Sequence, residues 1–234
     1  WTSWTRTNNQ TINTNKYRVS DRIFFMNIRE IRSFFVALLH IHLFGDMNLN
    51  ERSFAQMSQC KVIAVENQKG GTGKSTTVLN LGVGLVRHNK KVMLIDADPQ
   101  GSLSISLGIA RPDDLDITLA TVMTNIMNDR EFNDDFGIIH CDEGVDLMPC
   151  NIELSGVESN MFNAMSREFI LKTYVDQQRK NYDYILIDCT PSLGILPINA
   201  FVAADSIIVP SQPRILSTKG LDLLLRSYHK VQRG

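Results

Sequence analysis

VIAVENQKGGTGKSTTVLNLGVGL, residues 62 to 85, is the stretch on which the fold turns. It opens as an apolar run, breaks into a glycine-rich turn carrying Lys69 and Lys74, and continues as a helical pattern. Strand, Gly-Lys-Ser and helix stand in the order that a phosphate-binding loop requires. Gly70, Gly71 and Gly73 leave room for backbone N–H groups to wrap phosphate oxygens, and a helix beginning near Ser75 points its positive end at them. In such a loop Lys74 lies against the β- and γ-phosphates, the Ser75 hydroxyl ligates Mg²⁺ and Thr76 reaches the α-phosphate. The earlier lysine, Lys69, has no role in that scheme; its alternative reading is a solvated surface lysine.

Outward from this loop, short apolar runs alternate with helical patterns. The runs are KVIAVE (61–66), KVMLID (91–96), YILID (184–188) and SIIVP (206–210), rich in Val and Ile at successive positions, as strands buried on both faces of a parallel sheet require. Helices are predicted over Ser75–His88, Ile117–Met127, Ala164–Lys180 and Thr218–Val231. GIIHC (137–141) and GVDLMPC (144–150) read as two further short strands, with Asp142-Glu143-Gly144 as the turn. The alternation predicts an α/β fold with a mostly parallel, doubly wound sheet.

In such sheets ligands bind outside the carboxyl ends of the strands. Three of the runs end in chemistry there: the glycine loop, DADPQGS (96–102) and DCTPSLG (188–194). Two sets of carboxylates are thus expected to meet a phosphate cradle on one sheet edge. A cation carried on a triphosphate needs only one or two carboxylates plus water. Asp96 and Asp98 each have an alternative reading as turn aspartates that cap a helix.

The rest of the composition narrows the class. With 43% hydrophobic and 21% charged residues in 234, the chain is long enough for one sizeable domain, and a formal net charge of −1 gives no global nucleic-acid signal. Cys60, Cys141, Cys150 and Cys189 show neither metal-ligand spacing nor a secretory context, so reduced thiols in a cytoplasm are expected. Residues 1–56 read as a poorly ordered or adventitious N-terminal extension ahead of a P-loop ATPase domain over 57–234. WTSWTRTNNQTINTNKYR is polar and aperiodic, and IFFMNIREIRSFFVALLHIHLF is interrupted by Arg29, Glu30 and Arg32. Its uncharged piece, 33–44, is too short to span a bilayer. The alternative for this region is an amphipathic helix docked on the domain or on a membrane surface.

Gln68 stands where the common G-x-x-x-x-G-K-[ST] loop has its first glycine, leaving K-G-G-T-G-K-S. That is the deviant Walker A motif, and the chain resembles the ParA/Soj partitioning ATPases of the ParA/MinD family. NQKGGTGKSTT, LIDADPQGS, NIELSGVE, DYILIDCTPSLG and PSQPRILSTKGLDLLL, in that order from about Lys61 to Leu225, carry the resemblance. It implies ATP and Mg²⁺ as ligands, bound by Lys69, Gly70, Gly71, Thr72, Gly73, Lys74, Ser75 and Thr76. Lys69 would reach in trans to the ATP of a facing subunit, making ATP the glue of a homodimer. Asp98 would orient the attacking water, Asp96 would support the magnesium shell, and Asp188 would be the Walker B aspartate holding Mg²⁺ through water; Ser75, Asp96 and Asp188 form the expected metal set. Pro99–Gly101 and Pro191–Gly194 would form loops sensing the γ-phosphate, with Thr190 where many relatives have proline.

The resemblance further implies slow, ParB-like-partner-stimulated hydrolysis, ATP-gated non-specific DNA binding and a cytoplasmic, nucleoid-associated location, with membrane association not expected. Lys219, Arg226, Lys230 and Arg233 share one helical face, either a solvated face or part of a DNA surface. The family continues past this helix, so the chain is expected to be truncated at its C-terminus. The rival readings are a MinD-like membrane-associated positioning ATPase and a small-molecule kinase or synthetase on a related P-loop.

Overall fold

A computed structural model describes residues 23–27, 60–161 and 164–211, the first of these as backbone only. Seven strands form one sheet: β1 (Ile23–Asn27), β2 (Lys61–Val65), β3 (Val92–Ala97), β4 (Ile139–His140), β5 (Asp146–Met148), β6 (Tyr184–Cys189) and β7 (Ser206–Ser211). Their order is β1-β7-β2-β6-β3-β5-β4, and every pairing is parallel except β4 with β5. The helices are α1 (Lys74–Arg87), α2 (Ser102–Ser106), α3 (Leu119–Met127), α4 (Glu153–Met161), α5 (Ile170–Gln178) and α6 (Ile195–Ala203). The mostly parallel, doubly wound α/β architecture is the one the alternating pattern predicts.

Strand periodicity sorts the core into two layers. Met93, Ile95 and Ala97 of β3 pack with Leu119, Val122, Leu154, Leu171, Tyr174 and Leu196 on the face covered by α3 to α6. Val92 and Leu94, one residue out of phase, pack with Val78, Leu85 and Leu103 under α1 and α2. All six residues of β3 are buried, which is why its run is apolar without alternation.

Helix boundaries shift for identifiable reasons. Thr118 is extended and closes a capping box with Thr121, so α3 starts at Leu119 rather than at Ile117. The continuous helix expected over 164–180 is instead a 3-10 turn, Arg167–Phe169, followed by α5, because Ser166 takes a left-handed backbone with φ 51°. Residues 1–56 are expected to be poorly ordered or, alternatively, to dock as an amphipathic helix, yet a strand, β1, lies there, paired with β7. The helix expected over 218–231 lies outside the described residues. Among the described residues, no helix is long and apolar enough to cross a membrane.

Two ties close the far end of the sheet. Val62 N donates to Asp205 Oδ2 at 2.8 Å, and Arg179 grips Asp205 through two guanidinium nitrogens at 2.9 and 3.0 Å while also donating to the carbonyls of Cys60 and Ala203. These bonds fix α5 and the β7 approach against the start of β2, leaving the opposite edge to the loops.

Candidate nucleotide site

The loop between β2 and α1 runs from Glu66 to Gly73. Gly71 and Gly73 have φ of 69° and 87°, backbone that favours glycine, and an added Cβ on Gly70 or Gly71 would meet nothing. Space and left-handed backbone are what a loop needs to present N–H groups to a ligand. The first turn of α1 has neither an acidic side chain nor a side-chain cap, so its N-terminal N–H groups and dipole are left to an anion. Thr77 Oγ1 instead back-bonds to Gly73 O at 2.7 Å and steadies the turn from inside.

Asn67 anchors the loop. Its amide donates to Pro210 O on β7 at 2.7 Å, its Oδ1 accepts from Lys69 N at 3.0 Å, and its carbonyl accepts from the Lys74 ammonium at 3.2 Å. Lys74 is therefore buried and curled back under the loop, with one of its three donors in use. Thr72 is buried and donates to Lys69 O. Lys69, Gly70, Gly71 and Thr76 are exposed and Ser75 is half-buried. Lys69 makes no ion pair among the described residues, so its ammonium is available to another molecule.

The strand register brings the carboxylates in. Asp96 on β3 sits opposite Asp188 on β6, and Asp188 in turn sits opposite Val65 on β2. Asp96 is fully buried but well supported: Ser104 N and Ser104 Oγ both donate to its Oδ2 at 2.8 Å, and Asp98 N donates to Oδ1 at 3.2 Å. Burial still pushes it up to about 6 against those bonds. Asp98 is half-buried at the loop mouth and takes Gln100 N at 3.0 Å. The turn is closed by Gly101, with φ 61°, where an added Cβ would lie 3.0 Å from Cys150 O.

Asp188 differs. It is 1% exposed, and neither carboxylate oxygen has a hydrogen-bond partner among the described residues. Burial raises it to about 7; the Ser75 hydroxyl and Lys74 pull it back, yet Ser75 forms no well-aligned bond with it. No three His, Cys, Asp or Glu side chains among the described residues converge as a self-sufficient metal centre. A single free carboxylate beside a serine hydroxyl at a phosphate cradle fits a divalent cation that arrives with most of its ligands on a triphosphate and water.

The loop, Lys74, Ser75, Asp96, Asp98 and Asp188 thus share one sheet edge, while Lys219, Arg226, Lys230 and Arg233 lie outside the described residues. One group at this edge escaped the sequence reading. Glu66, 0% exposed, ends the first apolar run with two unpartnered oxygens, and the signal was present as a lone acid at the end of a buried strand.

The AAA domain family model matches residues 60–234. The sporulation initiation inhibitor protein Soj of Bacillus subtilis is 41% identical over 175 residues, covering 74% of this chain and 66% of that protein. The chain belongs to the ParA/Soj family. The chromosome partitioning protein ParA of Caulobacter vibrioides is 38% identical over 174 residues, covering 74% and 63%. Among solved structures, cobyrinic acid a,c-diamide synthase from Mycobacterium smegmatis with bound ATP analog and magnesium superposes with a TM-score of 0.69 at 37% identity, covering 74% of this chain and 69% of that one. A plasmid partition protein from Borrelia burgdorferi gives 0.63 at 30%, covering 74% of each. This chain spans between 53% and 66% of the length of the first curated relatives it matches. These likenesses give the P-loop NTPase fold that the ParA/Soj motifs imply.

Proposed function

We propose that this chain is the nucleotide-binding part of a ParA-type partitioning ATPase that binds ATP with Mg²⁺ and hydrolyses it slowly. The observation that carries the reading is Asp188, buried with both oxygens unpartnered, beside a left-handed glycine loop and an uncapped helix N-terminus. Lys74 and the loop amides would hold the triphosphate, and Ser75 with Asp188, supported by Asp96, would hold the cation. Bound Mg²⁺ would supply charge neutralisation at the phosphates. Asp98, half-buried at the loop mouth, would orient water, so that catalysis rests on positioning and electrostatics. Lys69 would complete the site of a second subunit, its exposure and lack of an ion pair supporting that role. The loaded homodimer would bind duplex DNA through phosphate contacts, and a ParB-like activator would stimulate hydrolysis and release it.

Light scattering tests this reading. With ATP and Mg²⁺, but not with ADP, the chain should double in mass; Asp98→Ala should keep the doubled mass and Lys69→Ala should lose it. A monomer under every condition, in this chain and in one extended to the length of its relatives, would overturn the dimer switch. The likeness to cobyrinic acid a,c-diamide synthase favours one rival, a synthetase on the same loop. ATP turnover that requires an added small-molecule acceptor would select it.

A further inference from the structure

The motif NIELSGVE, residues 151–158, ends in an acid that the proposed chemistry leaves without a task. Glu158 lies on α4 four residues after Leu154 and one after Val157, both buried, so helical spacing sets it at the margin of the core-facing stripe, half-buried. There its carboxylate meets α6. A Cβ added to Gly194, the residue before α6, would lie 2.3 Å from Glu158 Oε1 and 3.5 Å from its Cδ. The backbone of Gly194 is extended, with φ −71°, a conformation open to any residue, so glycine is needed here for space alone. The acid at 158 and the glycine at 194 are two halves of one contact.

That contact supplies what the start of α6 lacks. No side chain caps this helix and its first turn carries no acid, while a negative group beside the N-terminus is favourable. The body of α6 is pinned independently: Asn199 donates to Arg167 O at 2.9 Å and accepts from Leu171 N at 3.0 Å. The loop that leads into it leaves β6 two residues after Asp188, on the edge that holds the phosphate cradle. Among the described residues, Ser192 N donates to Thr190 O at 2.8 Å and Gly194 N to Ser192 Oγ at 3.3 Å, both bonds inside the loop. Glu158 is the polar group that another element sets against it.

We propose that Glu158 is a positioning residue: its carboxylate, set against Gly194, holds the 190–194 loop where that loop meets the γ-phosphate of bound ATP. This rests on the nucleotide reading above, and the test separates the two. ADP gives the loop no γ-phosphate to meet, so the contact should matter for ATP and little for ADP. The atom in the way of a Cβ at 194 is the end of a flexible side chain. Gly194→Ala should therefore push the carboxylate aside, leave the backbone where it is, and reproduce the loss of Glu158.

Wild type, Glu158→Ala, Gly194→Ala and the double variant, all as the full 234-residue chain, are titrated with ATP and with ADP in Mg²⁺ by displacement of a fluorescent nucleotide, and melted without nucleotide to establish that each folds. Each single variant is expected to lower the ratio of ATP to ADP affinity at least fivefold. The double variant should stay within twofold of the lower single one, because the second change removes nothing further. A fall of less than fivefold in either single variant overturns the proposal; equal losses for ATP and ADP are one such result and would mark a purely structural role for α4. A double variant more than twofold below both singles also overturns it, since the two residues would then act independently. If Gly194→Ala does not fold, the ratio in Glu158→Ala alone decides. If wild type binds neither nucleotide, the nucleotide reading fails and this proposal with it, whereas wild-type binding of both with an unchanged ratio in the variants sinks this proposal alone.

Discussion

Replacing Asp188 with asparagine should stabilise the nucleotide-free protein at pH 8 and do nothing of the kind at pH 5. In the folded chain the carboxyl holds its proton up to about pH 7 because it is buried without a partner, against an ordinary 3.8. Between those values the unfolded state binds fewer protons than the folded one, so stability falls as pH rises through the window and levels off above 7. The interval is worth about 4 kcal/mol at pH 8, and about 1.5 kcal/mol of it has accumulated by pH 5. Asparagine removes the charge but leaves a buried amide that itself costs about 1–3 kcal/mol if unpaired. The net gain is therefore about 1–3 kcal/mol at pH 8, or roughly 3–10 °C in melting temperature for a domain of this size, and close to nothing at pH 5. Asp96 and Glu66 titrate in both proteins, and because Asp188 is electrostatically linked to both, the difference between the two melting curves reports Asp188 together with its effect on these neighbours. Thermal unfolding by circular dichroism at the two pH values, without nucleotide, is the assay. A variant less stable than wild type at pH 8, or a gap that does not change with pH, would refute the reasoning, because Asp188 would then already be ionised and satisfied in the folded state.

Ser104→Ala removes the hydroxyl that donates to Asp96 Oδ2 and accepts from Cys150 N at 3.1 Å, so two buried groups each lose a partner; urea unfolding should show a loss of about 2–3 kcal/mol with an unchanged slope. Arg179→Ala breaks the grip on Asp205 and frees the carbonyls of Cys60 and Ala203. Its side chain is 24% exposed, so the loss should be about 2–3 kcal/mol in the same assay, without changing nucleotide affinity by more than twofold, since it sits at the opposite end of the sheet.

The four strands β2, β3, β6 and β7 were legible because burial on both faces writes itself as Val- and Ile-rich runs. The loop was legible because the φ values at 71 and 73 strongly favour glycine. What the sequence left dark was tertiary. α6, ILPINAFVA, is buried nearly all round and so carries no helical stripe, and Pro197 near its start reads as a breaker although the first turn tolerates it. α2 is five residues long, too short for periodicity to show. The facing of Asp96 and Asp188 depends on a parallel register between strands some ninety residues apart. Convergence on one edge was predictable from the fold class; which carboxylate would be satisfied there and which left bare was not, since that hinges on Ser104 folding back onto Asp96 alone.

That division between satisfied and bare groups says where the fold carries its cost. Of the six buried side-chain polar atoms without a partner among the described residues, five belong to Glu66, Gln68 and Asp188, and the sixth is the distant Tyr174 hydroxyl. Random imperfection would scatter such atoms through both core layers; here they gather where β2 and β6 end, around a lysine with spare donors. Each costs on the order of 1–3 kcal/mol while unpaired, and a ligand that pairs them gains that stability on binding. Amide replacement at 188 should therefore raise the melting temperature of the free protein and shrink the further rise that Mg²⁺–ATP produces. Stability and binding should move in opposite directions at Asp188, and together downward at Ser104, where the bonds are already made.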